Sequence, residues 1–152
     1  GPAVALLRRV RGRMAATDRF LMGVDLRKDR ARIEAAYDDA AGVTAEFNRN
    51  MLRVLNDATG ADFDADAWEH RAFYDPRLHW IEMHLVSPSD HSVRIPGAGT
   101  FRFAAGETIR TEISAKHDRD SVKAMFAAAG LAIERWATDD DGLYAITFAA
   151  PV

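Results

Sequence analysis

A carboxylate and a hydroxyl two residues apart, Glu112 and Ser114, sit in the run Gly106-Glu107-Thr108-Ile109-Arg110-Thr111-Glu112-Ile113-Ser114. The run is rich in β-branched residues and predicts a strand. Side chains alternate faces along a strand, so the spacing predicts that Glu112 and Ser114 point the same way. An acceptor beside a group that both donates and accepts can grip a small polar ring. Imidazole, with one donor and one acceptor nitrogen, is such a ring. A solvated strand face ending in a turn accounts for the same spacing.

Other chemistries find less support. His79-Trp80-Ile81-Glu82-Met83-His84 is a histidine-rich stretch, but the zinc-protease spacing is His-Glu-x-x-His on a helix. In a strand His79 and His84 face opposite sides, so no metal site is expected. His70, His91 and His117 are isolated, and surface placement is the expectation. Ser87, Ser89 and Ser92 lie in turns with no base expected beside them, which speaks against a serine nucleophile. The chain has no cysteine. That excludes disulfides, thiolate nucleophiles and cysteine-ligated zinc, and it fits a cytoplasmic protein.

The totals exclude whole classes of partner. The chain has 152 residues, 48% of them hydrophobic, and a net charge of −3. That length suits one domain or parts of two, with enough apolar content for a core. The balance of charge gives no electrostatic footprint for nucleic acid or an anionic membrane. Arg8, Arg9, Arg11 and Arg13 cluster early, with apolar residues between them, and read as a solvated helix face. No apolar run reaches the ~20 residues that a membrane helix needs. No signal peptide is expected, and Gly1-Pro2 matches what tag removal leaves behind.

The elements that must position these candidates follow from periodicity. Leu6, Leu7, Val10 and Met14 predict a helix over residues 3–14. Phe20 to Leu26 predicts a strand buried on both faces of a parallel sheet. Asp29 can cap a helix running to about Ala41 and ended by Gly42. Thr44 can cap a second, with Phe47, Met51, Leu52 and Leu55 on one side and Gly60 after it. Strands are expected over 68–74, 79–86, 91–95, 101–103 and 109–114, as an antiparallel meander. Asp118 or Asp120 caps a last helix that buries Val122, Met125, Phe126 and Ala129. Residues 131–138 and 143–149 then form a hairpin around Asp139-Asp140-Asp141-Gly142. Pattern alone reads as α/β ending in a hairpin.

Several runs in order resemble the histidine-specific, S-adenosylmethionine (SAM)-dependent methyltransferases, which make trimethylhistidine (hercynine) for ergothioneine biosynthesis. They are Gly23-Val24-Asp25-Leu26, the Tyr37 to Asn48 run, Ala61-Asp62-Phe63-Asp64, Ile81-Glu82-Met83, Phe103-Ala104-Ala105-Gly106-Glu107, Thr111-Glu112-Ile113-Ser114 and Trp136-Ala137-Thr138-Asp139. The resemblance spans nearly the whole chain, yet only the C-terminal half of such an enzyme. It implies an α/β fold: the C-terminal part of a Rossmann-like methyltransferase sheet (residues 1–27 and 115–152) with an inserted α+β substrate-binding lobe (28–114). It implies that Glu112 and Ser114 hold the substrate imidazole. Tyr37 would bind the substrate carboxylate, with Thr44 opening a helix beside it. Phe47 would line the pocket near the methylated amine, and Met83 the imidazole pocket. Read without the resemblance, Tyr37 is a half-buried helix residue, Thr44 an ordinary cap, and Phe47 and Met83 core.

Methylating an amine asks the protein for proximity and orientation, so gripping residues are expected and no nucleophile. The cofactor, SAM, carries the reactive methyl. The glycine-rich turn and ribose-binding acid that would hold it are expected upstream of this chain, because Gly97-x-Gly99 has no helix after it. The fragment alone is therefore expected to be inactive and, with an apolar sheet edge bared, to self-associate; the full enzyme is expected to be a monomer. Two rivals remain: a related methyltransferase acting on a tryptophan-type amino acid, and a non-catalytic binding module. Glu112 and Met83 favour histidine, since indole offers one donor and no acceptor.

Overall fold

The structure, a computed structural model, describes all 152 residues. In chain order the elements are α1 (Pro2–Arg11), β1 (Phe20–Asp25), α2 (Arg30–Tyr37), α3 (Val43–Thr59), β2 (Glu69–Asp75), β3 (Trp80–Val86), β4 (His91–Ile95), β5 (Gly99–Phe103), β6 (Thr108–Ala115), α4 (Arg119–Ala127), β7 (Leu131–Thr138) and β8 (Tyr144–Pro151). A single 3-10 turn spans Ala65–Ala67. No helix is long and apolar enough to cross a membrane. The chain divides into two compact units, Gly1–Lys28 with Ala115–Val152, and Asp29–Ser114.

The first unit is a three-stranded sheet, in the order β1-β8-β7, with two helices. Helix α1 begins with Pro2, whose fixed φ suits a first turn and whose missing N–H is no loss there. Helix α4 opens on a capping box: Asp118 Oδ1 accepts from Ser121 N at 2.7 Å, and Ser121 Oγ accepts from Asp118 N at 3.0 Å. Leu7, Val24, Val122, Phe126 and Leu131 form its core, and the Phe20 and Phe126 rings meet edge-on at 6.1 Å. Strand β8 lies between β1 and β7, antiparallel to both.

Strand β1 departs from expectation. It is not buried on both faces of a parallel sheet: its paired strand is the antiparallel β8, and its burial alternates, with Leu21 exposed and Val24 buried. The parallel pairing here is one isolated bridge, Leu26 to His117. One face of the strand packs into the helix-covered core, and the other leaves Leu21 in the open.

The chain leaves this unit after Lys28 and returns at Ala115. Both passages are tied at Asp25. Its carboxylate accepts from Lys28 Nζ and from Lys116 Nζ, each at 2.7 Å. The passages are also joined by backbone bonds from Arg27 N to His117 O and from His117 N to Asp25 O, and by the Arg27–Asp118 ion pair.

The second unit sets α2 and α3 beside the sheet β2-β3-β6, with β4 and β5 as a separate two-stranded ribbon. A simple meander would pair neighbours in sequence. Instead β6 joins β3, because Ser87 N donates to Glu107 O and Gly106 N to Ser87 O, closing the ribbon off as an excursion. Leu52, Phe63, Trp68, Leu85 and Val93 pack into one core, with Trp68 edge-on to Phe103 at 5.1 Å. Ile33, Tyr74 and Ile81 make a smaller cluster under α2.

Helix α2 ends at Tyr37, four residues short of the expected Ala41, and Gly42 does not end it. Gly42 instead takes a left-handed φ of 72° just before α3. Thr44 is not the cap of that helix. Asp39 is: its carboxylate accepts from Val43 N at 3.0 Å and from Thr44 N at 2.7 Å. A carboxylate satisfies two orphan donors at the positive end of a helix, which a threonine hydroxyl cannot.

Candidate substrate-recognition site

Helix α3 decides what its residues can do. Asn48 and Leu52 are its buried residues, with Leu55 packed beside them. Phe47 (63% exposed), Met51 and Val54 stand one residue round the helix and face outward. The expected single stripe of Phe47, Met51, Leu52 and Leu55 is therefore split. The polar Asn48 occupies a core position that an apolar count passes over. The outward residues, with Asn50, Leu55 and Ala58, line a shallow groove of about 390 Å³. Phe47 is thus not core and remains available to a ligand.

Tyr37 and Ser114 are 77 residues apart in sequence, and the Tyr37 hydroxyl donates to Ser114 Oγ at 2.9 Å. The last residue of α2 and the end of β6 meet there. Glu112 does not share this environment. Alternation holds from Thr108 to Glu112 and then breaks: Ile113 is exposed and Ser114 half-buried, while Glu112 is exposed. Of the two, Ser114 is hydrogen-bonded and half-buried, and Glu112 stands exposed. Met83 is 2% exposed and packed inside, as its apolar setting in β3 dictates. Its carbonyl accepts from Thr111 Oγ1 at 3.0 Å, which fastens β6 to β3 just above Glu112.

The histidines are not surface residues. His70, His91 and His117 are all half-buried. Burial is the main reason that the His117 imidazole is held below its ordinary value, with Arg27 adding to it. His70 Nε2 lies 2.8 Å from Tyr37 O, and its Nδ1 lies 2.9 Å from Asn48 Nδ2. The Asn48 amide also donates to His84 O at 3.1 Å. Its own Oδ1 is buried with no hydrogen-bond partner, a cost of roughly 1–3 kcal/mol. Sequence reading missed this set; its one signal was a polar residue in step with Leu52.

His79 and His84 go to different partners: His79 Nδ1 lies 3.3 Å from the Tyr74 hydroxyl, and His84 Nε2 lies 2.9 Å from Glu82 Oε2. Glu82 also accepts from Trp80 Nε1 at 2.9 Å, and the His84 bond is the chief cause holding its carboxyl below the ordinary range. Ser87 does have a histidine beside it, His91 Nδ1 at 3.2 Å, contrary to expectation. Both groups point at Ser89 O, at 2.8 Å from Ser87 Oγ and 2.9 Å from His91 Nδ1. A nitrogen that donates to a carbonyl cannot also take the serine proton, so the pair is not a nucleophile and its base.

Residues 2–151 match the family model described as histidine-specific methyltransferase, SAM-dependent. The chain belongs to that family. It is 44% identical over 151 residues to the histidine N-alpha-methyltransferase of Mycobacterium tuberculosis, covering 99% of this chain and 47% of that protein. It is 45% identical over 133 residues to the enzyme of the same name from Mycolicibacterium smegmatis, covering 87% and 41%. The chain therefore spans about half the length of the curated relatives it matches. Among solved structures it is similar to the CcbJ methyltransferase from Streptomyces caelestis, at 14% identity and a TM-score of 0.46, covering 98% of this chain and 49% of that one.

The chain's Gly-x-Gly turn does not form a cradle for SAM. The one Gly-x-Gly, Gly97 to Gly99, turns β4 into β5 with φ values of 81° and 115°, and no helix follows. A phosphate- or ribose-binding turn of this kind needs the helix N-terminus behind it.

Proposed function

We propose that this chain supplies the substrate-recognition half of a SAM-dependent methyltransferase that trimethylates the α-amino group of histidine. The observation that carries the reading is the Tyr37–Ser114 hydrogen bond at 2.9 Å, which joins two of the assigned gripping residues across the second unit. That unit, Asp29–Ser114, is assigned as the substrate lobe, and the first unit as part of the methyltransferase sheet. The Tyr37 hydroxyl can turn from Ser114 to a substrate carboxylate, and Ser114 Oγ can turn to the imidazole. Glu112, exposed at the edge of the same strand, takes the ring N–H. A substrate that covers Glu112 without offering it an N–H would leave the carboxylate unpaired, so this contact selects for the ring.

Thr44 lies in the first turn of α3, where backbone N–H groups and the helix dipole favour a carboxylate. Asp39 now occupies two of those N–H groups and accepts from the Thr44 hydroxyl as well, so Thr44 would turn its hydroxyl from Asp39 to the substrate. Phe47 offers an exposed ring face, which suits an amine that becomes a quaternary cation. Met83 is assigned to the imidazole wall by the resemblance, with its side chain buried behind that wall. SAM belongs to the complete enzyme in this reading, and the isolated chain is inactive.

The test is a mass-spectrometric methylation assay on a protein of the relatives' full length that carries this chain, with histidine and tryptophan competing. Stepwise addition of methyl groups to histidine, lost in Glu112→Ala, is the expected result. Methylation of tryptophan in preference, or of neither amino acid by a folded protein, overturns the assignment.

A further inference from the structure

Every α-helix ends with carbonyls that have no partner inside the helix. Tyr37 is the last residue of α2, and His70 Nε2 stands 2.8 Å from its carbonyl oxygen. Which proton that imidazole carries can be worked out from the main chain inward. His84 O only accepts, so an N–H of Asn48 must face it, and the 3.1 Å contact fixes the amide orientation. The same amide nitrogen reaches His70 Nδ1 at 2.9 Å with its second hydrogen. Nδ1 must therefore be the bare, accepting nitrogen. The proton of a neutral ring then sits on Nε2 and is donated to Tyr37 O. Turning the amide over would set its oxygen against the His84 carbonyl. The buried, unpartnered Asn48 Oδ1 is the consequence of holding this one orientation.

We propose that His70 and Asn48 are positioning residues for the substrate site. They form a relay from α3 through β2 to the end of α2, and the Tyr37 hydroxyl carries it on to Ser114 on β6. The relay fixes the Tyr37 backbone, and through it the hydroxyl that meets the substrate. It touches neither substrate nor reacting atoms. The inference rests on the histidine-methyltransferase reading and adds to it two residues that the gripping set does not include. A plain structural role, closing the end of α2, would lower stability without discriminating between substrates or between His70 replacements.

Two measurements test it. Nitrogen-detected NMR on the isotope-labelled chain reads the His70 tautomer directly, and the expected result is a neutral ring protonated at Nε2. A ring protonated at Nδ1 overturns the relay. Steady-state kinetics on a protein of the relatives' full length, well below its melting temperature, then compares three variants. His70→Gln keeps a donor where Nε2 was, His70→Asn keeps only an acceptor where Nδ1 was, and His70→Leu keeps neither.

The expected pattern is a KM for histidine raised about tenfold in His70→Asn and His70→Leu, the loss of roughly one hydrogen bond's free energy. His70→Gln should stay near wild type, and kcat and the KM for SAM should hold in all three. Equal effects in all three variants, or a fall in kcat at constant KM, overturn the positioning role. If the unmutated protein neither binds nor methylates histidine, the functional reading fails instead, and the tautomer alone decides whether the relay holds Tyr37.

Discussion

Asp25 and Lys116 form one ion pair, yet replacing them should have unequal effects. Lys116 is the buried member: its side chain is 1% exposed, against 31% for Asp25. Asp25→Asn takes the paired carboxylate away from that buried ammonium and from Lys28. Removing one partner of a buried pair costs about 3–5 kcal/mol. Lys116→Met removes the buried charge and keeps most of the stem, while Asp25 retains Lys28 at 2.7 Å. Losses of about 1 kcal/mol or less are expected there. At about 2–4 °C per kcal/mol for a chain of this size, the first variant should melt roughly 10 °C lower and the second within about 4 °C of wild type.

The pH dependence follows from Asp25 itself. Burial pushes its carboxyl up, but hydrogen bonds and charge from Lys116 and Lys28 outweigh that and leave it below its ordinary 3.8. A depressed carboxyl contributes stability above its unfolded value and loses it as pH falls through the folded one. The Asp25→Asn penalty should therefore be full at pH 7 and shrink below about pH 4. Thermal unfolding followed by circular dichroism at both ends of that range is the assay. Equal destabilisation by the two variants, or an Asp25→Asn penalty that persists unchanged in acid, would refute the reasoning.

Three further outcomes can be measured on the same chain. Leu52→Ala, at a position 4% exposed, should cost about 2–5 kcal/mol, whereas its exposed neighbour Met51→Ala should change stability by less than about 0.5 kcal/mol; denaturant titration separates them. Asp39, held at about 2 by hydrogen bonds from the Thr44 backbone and hydroxyl and from the Val43 backbone, contributes stability above its unfolded value that is lost as pH falls toward 2. Asp39→Ala should therefore lower the melting temperature at neutral pH and match wild type near pH 2. A Cβ on Gly23 would come within 2.1 Å of the Tyr144 hydroxyl oxygen, so Gly23→Ala should cost about 1 kcal/mol by turning that ring away, and a double-mutant cycle should show the cost relieved in Tyr144→Ala.

The fold was legible where local chemistry and tertiary setting agree. Asp118 caps α4, Gly60 ends α3 with a φ of 71°, and β7 and β8 close around the acidic turn, each with its local signal in the sequence. Reading failed where a side chain acts across the chain or one position away from its pattern. Phe20 to Leu26 is apolar enough for a strand buried twice, but apolar content does not say how many faces will be covered. Residues 38–42 could extend α2 by propensity; Asp39 instead turns to the next helix, and its two backbone bonds outweigh the missing turn. The β4–β5 excursion depends on Ser87 meeting Glu107, a pairing no local window contains.

The site divides along the same line. Spacing pointed to Ser114 and the family resemblance to Tyr37, each as a separate candidate, and the hydrogen bond between them needs α2 and β6 packed in place. Glu112 was legible as a carboxylate on a strand, but not that it stands exposed while Ser114 is half-buried. Asn48 showed only as a polar residue in step with Leu52, and His70 not at all, since each alone is an ordinary polar residue. Their role exists only in the bonds from His84 O through the amide and imidazole to Tyr37 O. A main-chain carbonyl that can only accept fixes every proton downstream of it. The orientation of a gripping residue can therefore be settled by groups that never meet the ligand, and a mutational survey confined to the gripping residues would miss them.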